Sequence, residues 1–380
     1  MLPDKTDVLI VGAGPTGLAL AIDLAQRGIP FAIIDATGSR QGTSRAAVVH
    51  ARTLEQLAPL GVAERMVAQG IEIPYFRIRD RDRVLLEIDF RVLAVSTPFA
   101  LMIPQDETEA ILEARLSELG HQVLRPYQLT SVQRTEGGAS ATVNTPAGPA
   151  RLTARYVVGA DGEHSAVRDQ AGLPFPGETY GSFLLADIRM DSTLPADEVT
   201  LFFSRDGMMV VAPMSRQRFR IVAFAPNAPR QPAISDVQAM MDARGPAASN
   251  RVTELLWGSR FQVHHKIAPS FRTGPFVLIG DAGHVHSPAG GQGMNLGLRD
   301  AVAAGTALAA ALGGDDSALD RYAVAQHAAA TAVLRDTERL TRAATVQSRF
   351  LRQFRNVAIE TVSSLPPVRE RAARLLAGYG

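Results

Sequence analysis

The sequence predicts an α/β fold, α+β overall, built on a parallel sheet that the chain leaves twice to form a second, β-rich sheet. Three observations predict it. Three short apolar runs, Asp7–Val11, Tyr156–Gly159 and Phe276–Ile279, each end at glycines or an aspartate and pass into a segment with helical character. The stretches 75–100 and 174–267 alternate with strand period. Beyond about residue 313 the chain is Ala/Arg-rich and helical.

The 380 residues supply core for two or three domains. Lys and Arg number 39 against 38 Asp and Glu, so the net charge of +1 excludes the basic footprint of a nucleic-acid-binding protein. There is no cysteine. Disulfides, thiolate metal sites and a cysteine nucleophile are thereby excluded, and a cytoplasmic location is expected. Met1–Asp7 is polar and the apolar run after it is short and broken by glycine, so no signal peptide is read. No apolar stretch approaches the roughly 20 residues of a membrane-spanning helix. The Ala- and Arg-rich composition, with one Trp, points to a GC-rich bacterial source.

The first strand, Asp7–Val11, runs into Gly12-Ala13-Gly14-Pro15-Thr16-Gly17, then the helix Leu18–Ala25 and the strand Phe31–Asp35. This is G-x-G-x-x-G in its required βαβ context. Gly12 permits the tight turn, Gly14 lets the backbone approach a pyrophosphate, and Gly17 allows close helix–sheet packing. Asp35 follows at the distance expected of the carboxylate that takes a ribose 2′-OH. The unit binds a dinucleotide without choosing FAD over NAD, and its acid argues against NADP in this site.

Ser44-Arg45 and His50-Ala51-Arg52 come next, and Thr53-Leu54-Glu55 opens a helix. Phe76–Arg79 and Val84–Phe90 alternate as strands. Pro104 stands at the first turn of a helix that carries Gln105 and Glu109. From 121 to 160 the chain reads as a meander: Gln128–Val132, Ala139–Val143 and Arg151–Ala154, closing on Tyr156–Gly159. Asp161 ends that strand, Gly162 permits a turn and Ser165 starts a helix with Arg168 one turn on. Strands Ser182–Met190, Val199–Phe203, Met208–Pro213 and Phe219–Phe224 follow. Their apolar residues Leu201, Phe203, Met209, Val211 and Pro213 are candidates for the wall of a substrate cavity. A helix near 235–244 and a strand, Phe261–His265, lead to the third joint.

At that joint Gly280-Asp281 ends a buried strand, and a loop with Pro288, Gly290 and Gly291 precedes Gln292-Gly293-Met294-Asn295 and a long helix. The free N–H groups and partial positive charge of a helix start suit the N1 and C2-carbonyl region of a reduced flavin. Asp281 is placed to accept from ribityl hydroxyls. His284-Val285-His286 lacks a third ligand at metal spacing, so no metal is expected. No G-x-S-x-G, P-loop or H-E-x-x-H occurs.

GDAxHxxxPxxGQGxN resembles the second FAD motif of the single-component aromatic hydroxylases, the para-hydroxybenzoate hydroxylase-like flavoprotein monooxygenases that include polyketide hydroxylases. Asp281, Pro288, Gly291, Gln292, Gly293 and Asn295 match, with Gly280 and Met294 in the same string. Asp161-Gly162 with S-x-V-R resembles the family's third fingerprint, which in relatives serves FAD and the docking of NADPH. Gln105 and Glu109 resemble its Q-x-x-x-E, in which the glutamine contacts FAD. The resemblance covers nearly the whole chain. It implies a Rossmann-like FAD-binding domain of the glutathione-reductase type from 1–74, 101–173 and 268–330. An interleaved β-sheet substrate domain from 75–100 and 174–267 and a C-terminal helical segment from 331–380 complete the expected layout, with no thioredoxin-like domain.

FAD is the implied cofactor, and NADPH or NADH the transient co-substrate. O₂ and a small aromatic substrate complete the partners, in a monomer or homodimer. Arg45 and Arg52 match basic positions near the cofactor, and Pro288 and Arg45 fall at the catalytic end. The implied reaction is hydroxylation of a phenolic or polycyclic substrate through a C4a-hydroperoxide of the flavin. Epoxidation and Baeyer–Villiger insertion use the same intermediate and stay open. So do a non-oxygenating FAD-binding reductase and an accessory protein that only holds FAD.

Overall fold

The computed structural model describes all residues except 41–45, 216, 248, 249, 289, 345, 347, 364 and 380. In a seven-stranded sheet Lys5–Val11 lies parallel to Phe31–Ile34 on one side and to Gly148–Gly159 on the other. Phe276–Leu278 extends it as the next parallel strand. Val8, Leu9 and Ile10 have no exposed surface, as expected of a central strand covered on both faces. The register aligns Val11 with Ile34 and Gly159, and Gly159 with Leu278. Parallel strands that end level bring their following loops to one edge. That alignment is why three motifs spread over 280 residues meet.

Helix Pro15–Gln26 packs on helix Gln292–Leu312 against this sheet. Gly17 allows the close approach: a Cβ there would stand 2.0 Å from the Gly12 carbonyl oxygen. Two expected strands, Arg151–Ala154 and Tyr156–Gly159, are one, Gly148–Gly159. Its first half pairs antiparallel with Gly138–Thr145 and its second half joins the parallel sheet.

The second sheet has eight strands in the order His284–Val285, Arg251–Ile267, Gly177–Asp191, Arg218–Phe224, Gly207–Pro213, Glu198–Ser204, Tyr75–Asp80 and Arg83–Asp89. All neighbours are antiparallel except Glu198–Ser204 with Tyr75–Asp80. Arg251–Ile267 is much longer than the expected Phe261–His265; its first half lies largely exposed or half-buried and does not alternate apolar with polar. Strand His284–Val285 follows directly on the Asp281 turn, so the two sheets share a joint beside the third motif. A small sheet, Val48–Val49, Ala100–Met102 and Ile71–Ile73, lies between them in sequence.

Helix Ser317–Ala344 packs back on Gln292–Leu312, and helices Arg349–Ser363 and Pro366–Leu376 end the chain. Among the described residues no helix is long and apolar enough to cross a membrane.

Candidate active site

A cavity of about 980 Å³ opens where the loops after the parallel strands face the second sheet. Its lining includes Gly12, Gly14, Pro15, Thr16, Asp35, Gln105, Asp161, Gly162, Asp281, Pro288, Gly291, Gly293 and Met294. Most of the sequence-derived cofactor positions are therefore in one place. Arg45 lies outside the described residues.

The first wall is the glycine turn. Gly14 is the N-cap of helix Pro15–Gln26, no side chain caps it, and Pro15 fills the first turn. The free N–H groups of that turn lack a helical acceptor and suit an anion such as a pyrophosphate. No described residue lies within 4 Å of where a Cβ on Gly14 would stand. Asp35 accepts from the Ala13 N–H at 2.8 Å and from the Thr37 N–H at 2.9 Å, and Arg125 Nη1 stands 3.2 Å away. The Thr37 hydroxyl also donates to Asp35 Oδ1 at 2.5 Å, so the carboxylate is fixed at the cavity and Oδ2 keeps a lone pair for a hydroxyl donor.

The second wall is the Asp161 turn. Asp161 accepts from the Ser165 hydroxyl at 2.5 Å and the Ala166 N–H at 2.7 Å, and so caps helix Ala166–Gln170 together with Ser165. Burial pushes its carboxyl up, against the pull of Ser165 and the backbone donors. Arg168 spans two motifs: Nη1 donates to the Glu163 carbonyl at 2.9 Å and to the Ala282 carbonyl at 3.2 Å.

The third wall is the loop before Gln292–Leu312. Gly291 caps that helix with φ +63° and no side-chain bond, and a Cβ there would stand 2.1 Å from Val48 Cγ1. This second uncapped helix start suits a flavin edge as the first suits a diphosphate. Asp281 presents an exposed carboxylate at the cavity. Gly280, with φ +59°, and Asn295 stand behind the lining: Asn295 is 1% exposed and ties this loop to Val48 and His50. Gln292 bonds His50, whose imidazole burial lowers to about 4. Gln105 donates to Glu109 at 2.9 Å and accepts from the Ala46 N–H at 3.3 Å, so it is oriented at the cavity by both. Burial pushes the Glu109 carboxyl up against that bond.

Arg52 stands elsewhere. It points away from the cavity, 3.8 Å from Glu55 and over the Tyr379 ring at 5.6 Å. Of the five expected wall residues only Leu201 lines the cavity. Phe203 shares its face but lies beyond the end, under Arg355. On the neighbouring strand the lining residues are Val210 and Ala212. Met209 and Val211 face the other way, into a core with Val237 and Met241 of helix Ile234–Arg244, and Pro213 is buried off the cavity. Both faces of this strand are apolar, so alternation alone could not choose between them.

Sequence reasoning passed over several lining residues. Phe76, Phe90, Met102, Val222 and Phe261 extend the apolar wall. Arg220, 3% exposed, also reaches the cavity; it clasps Asp187 with bonds of 2.7 and 2.9 Å and donates to the Ala46 carbonyl at 3.0 Å. Glu163 meets Lys266 at 3.0 Å beside His264. For Phe76, Arg220, Val222 and Phe261 the signal is periodicity in the second sheet, legible only once its cavity face is known.

Residues 5–337 match the family described as FAD binding domain. The aromatic compound monooxygenase YhjG of Bacillus subtilis (strain 168), described as uncharacterized, is 34% identical over 348 residues, 89% of this chain and 68% of that protein. The 6-methylpretetramide 4-monooxygenase of Streptomyces rimosus is 31% identical over 383 residues, 99% of this chain and 69% of its own length. The solved structure of the OxyS anhydrotetracycline hydroxylase from Streptomyces rimosus superposes with a TM-score of 0.80 at 32% identity, covering 98% of this chain and 76% of that one. The chain belongs to the FAD binding domain family and is a flavin-dependent monooxygenase of the single-component aromatic hydroxylase type, with FAD as cofactor and NAD(P)H as co-substrate.

Proposed function

We propose that the chain hydroxylates a phenolic or polycyclic aromatic substrate, with residues 1–74, 101–173 and 268–330 holding FAD and residues 75–100 and 174–267 holding the substrate. One observation carries this reading. Two uncapped helix starts, at Gly14 and Gly291, open on the same cavity, which continues into an apolar wall of Phe76, Leu201, Val210 and Ala212. A diphosphate and a flavin edge suit the first two, and a flat aromatic suits the third. The relatives whose names print tetracycline-type substrates support a polycycle. The same reading makes the protein cytoplasmic, as a monomer or homodimer.

In this reading Gly12, Gly14, Pro15 and Thr16 seat the diphosphate, on a helix that Gly17 lets pack close to the sheet. Asp35 takes a ribose hydroxyl, Asp281 the ribityl chain, and Gly291, Gly293 and Met294 the flavin's pyrimidine edge. Gln105, Asp161 and Gly162 complete the cofactor's contacts. FAD, reduced by NAD(P)H, supplies the activation of O₂. The protein's part is to position the aromatic carbon, with Pro288 at the junction of cofactor loop and apolar wall, and to keep water out.

Anaerobic mixing of FAD-loaded protein with NADPH or NADH, read by the flavin's visible absorption with and without one- to four-ring phenols, tests the reading. Bleaching accelerated by one of them, then an added oxygen atom by mass spectrometry once air is admitted, is expected. Bleaching with no oxygenated product from any of them would overturn the aromatic substrate.

A further inference from the structure

We propose that Leu376, on the last helix, is a specificity-determining residue that limits the size of the aromatic substrate. The inference rests on reading the cavity as the flavin and substrate site. Helix Pro366–Leu376 is remote in sequence from every motif, yet Leu376 lines the cavity. Its Cδ2 stands 3.9 Å from where a Cβ on Gly290 would be, so it touches the loop that leads into the Gly291 helix start. It also packs against the apolar cluster that holds Ala47, Phe90, Met102 and Ala212. Leu376 thus fills the corner between the cofactor loop and the substrate wall.

The helix is held there by contacts that do not involve Leu376 itself. Ala373 is fully buried and Ala377 is 2% exposed. The Arg52 N–H donates to the Ala377 carbonyl at 3.0 Å, and Arg299 Nη1 reaches the Gly378 carbonyl at 3.4 Å. Gly378 turns the chain with φ +89°, which brings Tyr379 under the Arg52 guanidinium at 5.6 Å. Small alanines let the helix lie close, and the turn beyond it locks the end. The neighbouring Leu375 points to solvent at 43% exposure. A wall residue on a fixed helix acts by shape: each methylene it adds or removes changes which ring system fits.

The test uses the FAD-loaded full chain as wild type, Leu376→Ala, Leu376→Phe and, as control, Leu375→Ala. Dissociation constants for phenols of one, two and four rings come from the change in flavin absorption, with oxygenated product measured separately. Leu376→Ala is expected to shift the ratio of affinities toward the largest ring system by about tenfold or more, and Leu376→Phe toward the smallest. FAD content and Leu375→Ala are expected to match wild type. A ring-size ratio identical in all four proteins overturns the proposal, as does the absence of any spectral response to every phenol. A changed ratio without oxygenated product leaves Leu376 as a wall residue and overturns the hydroxylase substrate reading alone.

Discussion

Asn295 Oδ1 accepts the backbone N–H of His50 at 2.7 Å across 245 residues of sequence. The same side chain donates to the carbonyls of Val48 at 2.9 Å and Gly291 at 2.8 Å. Asn295 therefore does not line the cavity but holds two of its walls together. An amide suits the task, because one end must accept and the other donate.

Asn295→Ala is expected to cost about 3 kcal/mol, since it removes three hydrogen bonds and leaves buried backbone groups without partners. It should also weaken FAD binding at least tenfold by freeing the Gly291 turn. Urea unfolding of the apoprotein and FAD titration check the two effects. An apoprotein as stable as wild type would show that the pin carries no load.

The second and third glycines of the first motif are expected to fail differently. A methyl on Gly14 enters open space at an ordinary φ of −72°, so Gly14→Ala should keep its melting temperature and lose FAD affinity. A methyl on Gly17 meets a backbone oxygen at 2.0 Å, so Gly17→Ala should lose about 3 kcal/mol of stability even without FAD. Equal melting temperatures for the two variants would refute the distinction.

His284 and His286, with rings 6.3 Å apart, should shape opposite limbs of the stability–pH curve. Burial opposes a charge on His284, but Asp300 at 2.6 Å outweighs it and leaves the imidazole raised above 6.5. That contribution is full below the unfolded value and is lost as pH rises through the folded one. Burial, with His284 and His265 nearby, lowers His286 to about 3, and among the described residues neither of its ring nitrogens has a hydrogen-bond partner. Its contribution is full above 6.5 and is lost as pH falls toward 3, at about 1.4 kcal/mol per pH unit. Chemical unfolding from pH 4 to 9 should show Asp300→Asn flattening the alkaline limb. His286→Leu should flatten the acid limb and raise stability near neutral pH, because it removes an unsatisfied buried ring.

Neighbouring positions on strand Gly207–Pro213 should separate binding from stability. Ala212→Leu adds bulk to the cavity face and should weaken aromatic binding about tenfold or more while FAD is retained. Met209→Ala empties a core site against Met241 and should cost about 2–5 kcal/mol without changing the order of ligand affinities. Equal effects of the two on ligand order would contradict the assignment of faces.

The sequence by itself determined the parallel sheet and the glycine turns. Each is a local pattern: an apolar run, a glycine where backbone must pass close to backbone, an acid at a strand end. Gly12, Gly14, Asp35, Asp161, Asp281 and Gly291 were legible because the chemistry of a turn is written in the few residues that make it. Only the tertiary structure decided which face of strand Gly207–Pro213 meets the cavity, since helix Ile234–Arg244 buries the other and both faces are apolar. Only it set Arg52 over Tyr379 and off the cavity lining, and brought Leu376 to the cavity. Those placements are contacts between segments tens to hundreds of residues apart, set by packing that no local pattern encodes.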